Sequence, residues 1–95
     1  MSTIKHIHYE YDPKKLAANV ASHKVWFHEA DEFDWETAII KQDDRHEYEE
    51  TRFQALGLIG SRLYMMVFTF RETAVRIISL RKANKREIHR YASQN

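Results

Sequence analysis

Polar and apolar residues alternate over "IHYEY", with Ile7, Tyr9 and Tyr11 on one side and His8 and Glu10 on the other. A period of two predicts a strand with one buried face. Asp12 and Pro13 come next, a side-chain cap and a ring suited to the first helical position, so a helix starts there. In that helix Leu16, Ala17, Val20 and His23 fall on one stripe, with Asn19 beside them. Trp26, Phe27, Ala30 and Phe33 recur at helical spacing and predict a second helix from about Trp26 to Asp34.

The period then changes. "TAIIK" (residues 37–41) reads as a short strand, and "QDDRHEYEE" (residues 42–50) is too charged for anything except a loop or a strand edge. "RFQALGL" predicts a strand, and "IGS" a turn in which Gly60 supplies the flexible step. "RLYMMVFTF" is apolar on both faces, as a central strand covered from both sides requires. "RET" turns the chain into "AVRIISL", another buried strand. Asn84 and Glu87 have capping-box spacing for a last helix, which buries Ile88, Tyr91 and Ala92 and exposes Lys85, Arg86 and Arg90. Strand, two helices, a run of antiparallel strands and a helix make an α+β sandwich, a single domain over residues 1–95.

At 95 residues the chain buries only a modest core, so a partner or an oligomer is expected to add stability. A hydrophobic share of 43% excludes general disorder. No apolar run approaches the roughly 20 residues that cross a bilayer, and "MSTIKHIHYEY" lacks the apolar core of a signal peptide. With no cysteine, disulfides and thiolate metal sites are excluded, and a cytoplasmic protein without membrane contact is expected. The net charge of +1 hides a division: residues 59–95 hold eight bases and two acids, whereas residues 1–58 are acidic. That basic third suits an anionic partner, or else a solvated surface balanced by the acids elsewhere in the fold.

Candidate chemistry narrows this. His6 and His8 share a strand face, His23 and His28 are separated by a helix break, and His46 lies in the acidic loop, but no metal-ligand spacing links them. Neither a nucleophile elbow nor a phosphate-cradling glycine loop is present. Arg52, Arg71, Arg76 and Arg81 sit at strand ends flanked by apolar residues. Such arginines must find an anion or bear a desolvation cost. Two readings stay open: pairing with Asp43, Asp44, Glu47, Glu49 or Glu50 inside the fold, or a cluster of guanidinium forks for phosphates. Arg76 and Arg81 have opposite parity, so they converge only if the strand ends or bulges before Arg81.

"YEYDPKKLAANVASHKVWFHEA" resembles the opening of the BrnT-type toxins, which read roughly W-D-x-x-K-x-x-x-N-x-x-K-H-G-V-x-F-x-E-A. The remainder is similar to the family's D-x-R-x-x-Y-G-E-x-R, I-G, T-x-R and R-I-I-S-A-R-K-A-x-x-x-E-x-x-x-Y. Together these elements span Tyr9 to Tyr91 in the right order. The resemblance implies a small RelE-like α+β fold, with an antiparallel sheet, two N-terminal helices and one C-terminal helix. It implies the ribonuclease toxin of a bacterial type II toxin–antitoxin pair. The implied partner is a BrnA-like antitoxin with a ribbon-helix-helix domain, in a heterotetramer that meets DNA only through the antitoxin. His23, Arg45, Tyr48, Glu50, Arg52, Arg71, Arg76, Arg81, Glu87 and Tyr91 fall on family-pattern positions. "SHK" departs from K-H-G, Glu49 replaces a glycine, and "RET" lacks the glycine after T-x-R. Lys24 must therefore bear a left-handed conformation or change the turn.

Metal-free RNA cleavage uses the 2′-hydroxyl as nucleophile and leaves a cyclic phosphate; it needs a base, an acid and cations around phosphorus. His23 can act as acid or base, Glu50 is a candidate base, and Tyr91 could donate a proton or stack on a base. Arg52, Arg76 and Arg81 would hold the scissile phosphate, with Lys24, Arg45, Arg71, Lys82, Lys85 and Arg86 completing the RNA-binding surface. No cofactor or metal is expected. Structural readings stand beside these: Tyr91 as core, Glu50 as the partner of Arg52, and His23 as a helix end. The alternatives are a nucleic-acid-binding module without chemistry and a degenerate toxin that keeps antitoxin binding.

Overall fold

A computed structural model describes residues 7–45 and 47–94. His6 and His46 lie outside the described residues. The elements are β1 (Tyr9–Glu10), α1 (Pro13–His23), a 3₁₀ segment (Phe27–Glu32), β2 (Ile39–Asp43), β3 (Arg52–Ile59), β4 (Arg62–Arg71), β5 (Ala74–Lys82) and α2 (Lys85–Gln94). The strands form one five-stranded sheet in the order β1-β5-β4-β3-β2.

Three expectations about these elements need correction. The sheet is mixed, because β1 pairs with β5 in parallel (Tyr9 opposite Val75, Glu10 opposite Arg76) while the other pairs are antiparallel. β1 and β5 are far apart in sequence, so no hairpin dictates their direction. The second N-terminal helix is a six-residue 3₁₀ segment. Its buried residues Phe27 and Ala30, with Phe33 just beyond, recur every third position, the repeat of a 3₁₀ turn. β2 begins two residues later than the pattern suggested and takes in Asp43, because its register is fixed by pairing with β3.

Where the sequence punctuation is strong, the structure obeys it. Asp12 caps α1 by accepting from the Lys14 N–H at 2.9 Å, with Pro13 at the first helical position. Gly60 takes φ +63 in the β3–β4 turn. β4 lies at the centre of the sheet and is buried from Leu63 to Thr69. Asn84 and Glu87 close a reciprocal capping box, each backbone N–H donating to the other's side chain at 2.9 and 2.8 Å.

One face of the sheet packs under α1 and the 3₁₀ segment, with Val25, Phe27, Ala30, Phe33, Met66, Phe68, Ile77 and Leu80 at its heart. The tip of the Phe33 ring lies against Gly57, so close that a Cβ there would meet ring carbons at 2.4–2.9 Å. Beyond that cover Phe53, Phe68 and Phe70 line an apolar groove of about 630 Å³, and Phe70 is 59% exposed. α1 is fixed to β5 by the buried Asn19 amide. It donates to the carbonyls of Leu80 (2.7 Å) and Val25 (3.0 Å) and accepts from the Leu80 N–H at 3.0 Å. Asn19, with Leu16 and Val20, forms the inward side of α1, whereas Ala17 and His23 are exposed.

α2 covers one end of the opposite face, over Leu56, Leu63, Met65 and Ala83. Its sheet side is Glu87 and the half-buried Tyr91; Ile88 is 42% exposed and Ala92 is exposed, contrary to the expected stripe. The ion pair between Arg81 and Glu87 and the bond from the Tyr91 hydroxyl to the Thr37 carbonyl set this rotation.

Candidate nucleic-acid interface

Below α2, half of that second face is left open, and the strand register decides which side chains reach it. Val67 of β4 stands opposite Ser79, but Phe68 stands opposite Ile77, so Ile78 is an extra residue and β5 bulges. The bulge reverses the parity of every β5 residue beyond it. Arg76 then pairs with Thr69 and Arg81 with Met65, both odd-numbered residues of a regular β4, so the two arginines share a face. Arg52 joins them, because Phe53 opposite Phe68 places it beside Thr69. Arg52 and Arg76 therefore flank β4 with Cα atoms about 10 Å apart, two strand spacings. Thr69, Gln54 and Val67 form the floor between them, with Ser79 opposite Val67.

Each of these arginines also meets a carboxylate. Arg76 Nη1 donates to Glu10 at 2.7 Å and Arg52 Nε to Glu50 at 3.2 Å. The Arg81 fork is bidentate to Glu87 at 2.9 and 2.8 Å. Those bonds hold the Glu87 carboxyl below the usual range, against the opposing effect of its burial. The Arg52 and Arg76 side chains stay partly exposed, and each uses a single side-chain ion pair. The Arg52 guanidinium also lies 4.1 Å above the centre of the Tyr48 ring. Tyr48 is held by its hydroxyl, which donates to Asp43 at 3.3 Å. Asp43 is buried and accepts from Arg45 Nε and Nη2 at 2.8 and 2.9 Å, which pulls its carboxyl down to about 2.

The remaining sequence-derived candidates divide. His23, the exposed last residue of α1, shares a cleft of about 260 Å³ with Ser22, Ile78 and Ser79, on the same side as Arg76 and Arg81. Lys24 is exposed next to it, and Arg71 ends β4 two residues beyond Thr69. Lys85 and Arg86 are exposed in the first turn of α2. Lys82 pairs with Tyr64, whose even position places it on the other face. Arg45 has an exposed side chain but is committed to Asp43. Tyr91 lies one turn of α2 beyond Glu87, the residue that clasps Arg81, and its hydroxyl donates to the Thr37 carbonyl at 3.2 Å. Among the described residues no group of three or more His, Asp or Glu is placed to hold a metal ion. Sequence reasoning missed Glu10 and Tyr48 as the supports of Arg76 and Arg52. Glu10 could be found only by knowing the parallel pairing, and Tyr48 lies in a loop without a periodic signal.

The sequence profile of the ribonuclease toxin BrnT of type II toxin–antitoxin systems matches residues 11–87. The chain belongs to the BrnT family. No curated relative matches it closely enough to add to this. BrnT membership makes it a ribonuclease toxin of a type II system, with RNA as target and an antitoxin as partner. The BrnT match takes in His23, Arg52, Arg76 and Arg81 and stops at Glu87, the residue that clasps Arg81. Tyr91 falls outside it. No described helix is long and apolar enough to cross a membrane.

Proposed function

We propose that the protein is a metal-independent endoribonuclease of RelE-like type that acts in the cytoplasm and is neutralised by a BrnA-like ribbon-helix-helix antitoxin in a heterotetramer. The observation that carries this reading is the bulge at Ile78, which brings Arg76 and Arg81 to the uncovered face that also holds Arg52. A phosphodiester laid over Thr69 would lie between the Arg52 and Arg76 forks. A base takes the proton of the 2′-hydroxyl, the O2′–P bond forms, and the P–O5′ bond breaks as an acid protonates the leaving oxygen. Glu50, exposed beside Arg52, suits the base, and His23, exposed on the β5 side, suits the acid. The arginines offset the charge that develops on the phosphoryl oxygens. Tyr91 serves this scheme by anchoring α2 rather than by moving a proton.

The experiment is RNA cleavage in excess EDTA with the 3′ ends identified. Persisting cleavage that leaves 2′,3′-cyclic phosphate is expected. Activity abolished by EDTA and restored by Mg²⁺ or Mn²⁺ would overturn the mechanism and pass the chemistry to a bound metal. One observation favours a second reading, a degenerate toxin that keeps antitoxin binding: Lys24 and Glu72 hold positive φ where the family pattern has glycine. Absence of cleavage under all metal conditions, with intact antitoxin binding, would select it.

A further inference from the structure

We infer that the cleft between α1 and β5 is a second phosphate subsite, which receives an RNA phosphodiester adjoining the scissile one. This inference rests on the RNA-cleaving reading above. The cleft holds about 260 Å³, and the residues that line it include Lys15, His23, Ser22 and Ser79 but no Asp or Glu. That composition differs from the arginine row, where Arg52, Arg76 and Arg81 each face an acid. Lys15 is exposed and forms no ion pair among the described residues, so its charge is available to a ligand.

Two features of the fold build the cleft. The bulge places Ile78 and Ser79 along its β5 wall, and Ser79 lies between Arg76 and Arg81 on their face of the sheet. The Asn19 amide closes the floor, because its donors and acceptor are spent on the backbone of Val25 and Leu80. Strand continuity then does the rest: RNA leaving the Arg52–Arg76 row on the β5 side passes over Ser79 into the cleft. Lysine binds phosphate as a point charge and serine hydroxyls donate to its oxygens, a combination suited to holding a backbone without reading bases.

The test uses a 2′-O-methyl RNA oligonucleotide, which binds without being cleaved, with affinity tracked by fluorescence anisotropy from 50 to 200 mM salt. Lys15→Gln is expected to weaken binding roughly 3- to 10-fold and to flatten the salt dependence by about 0.7, the loss of one phosphate contact. Ser79→Asp, which puts an anion in the same cleft, is expected to weaken binding at least as much. Lys14→Gln, at an exposed position outside the cleft, is expected to match the wild type. Thermal melting of each variant checks that the fold is retained. Lys15→Gln with wild-type affinity and salt slope would sink the subsite and leave the RNA reading intact. A wild-type chain that neither binds this RNA nor cleaves its 2′-hydroxyl counterpart would sink both.

Discussion

Lys24 leaves α1 with φ 61 and ψ 29, its N–H donating to the Val20 carbonyl at 2.9 Å. A Cβ in the left-handed region costs on the order of 1 kcal/mol, and the family pattern has glycine here. Lys24→Gly is therefore expected to raise Tm by about 4–8 °C. An unchanged or lower Tm would mean that the lysine stem contributes packing that offsets its backbone strain. Asp43 makes a second prediction at this scale. Hydrogen bonds from Arg45, above all, hold its carboxyl at about 2 in the folded chain. An unfolded aspartate titrates near ~3.9, so as pH falls the unfolded chain takes the proton first. The contribution is complete above about pH 4 and lost as pH falls through about 2. Asp43→Asn should cost roughly 1–2 kcal/mol in urea unfolding at pH 7, with the gap to wild type closing between those two pH values. A gap that stays constant over that range would show that the carboxylate charge is not its source.

At the scale of elements, the clasp between β5 and α2 combines two roles that the open face must separate. Arg81→Ala leaves Glu87, 8% exposed, without its ion partner, at a cost of about 2–3 kcal/mol. Adding Glu87→Gln removes that charge and keeps the cap to the Asn84 N–H, so the double variant should recover most of the stability. Cleavage is expected to stay roughly 30- to 1000-fold down in both variants, the cost of a lost transition-state contact. Activity that returns together with stability would leave Arg81 a purely structural role. The sequence made much of this level legible. The cap at Asp12, the turn at Gly60, the two-sided apolar run of β4 and the Asn84–Glu87 box are local signals, and each has its expected place. What stayed hidden depends on partners far along the chain. The parallel pairing of β1 with β5, the rotation of α2 and the register of β2 arise from tertiary contacts, which no periodicity encodes. The parity of Arg76 and Arg81 stated what a bulge would accomplish, but the position of that bulge is decided by β4.

On the scale of the whole molecule, the two faces of the sheet have opposite chemistry. One presents an apolar groove with Phe53, Phe68 and Phe70, and the other a polar floor bordered by arginines. A toxin built this way should arrest growth when expressed alone, and co-expression of its antitoxin should relieve the arrest. Arg52→Ala with Arg76→Ala, which removes both forks beside Thr69, should abolish the arrest while leaving antitoxin binding. Normal growth with abundant wild-type protein would count against an active toxin. The Asn19 amide has a consequence on this scale too. β1 covers β5 for only two residues, and past that point the outer ladder of β5 would invite a strand from another molecule. At Leu80 both the donor and the acceptor of that ladder are already taken by one side chain. A single asparagine thus gives the chain what a further strand would: a sheet margin that cannot be extended there, and one less route from a crowded solution of toxin to fibres or swapped dimers.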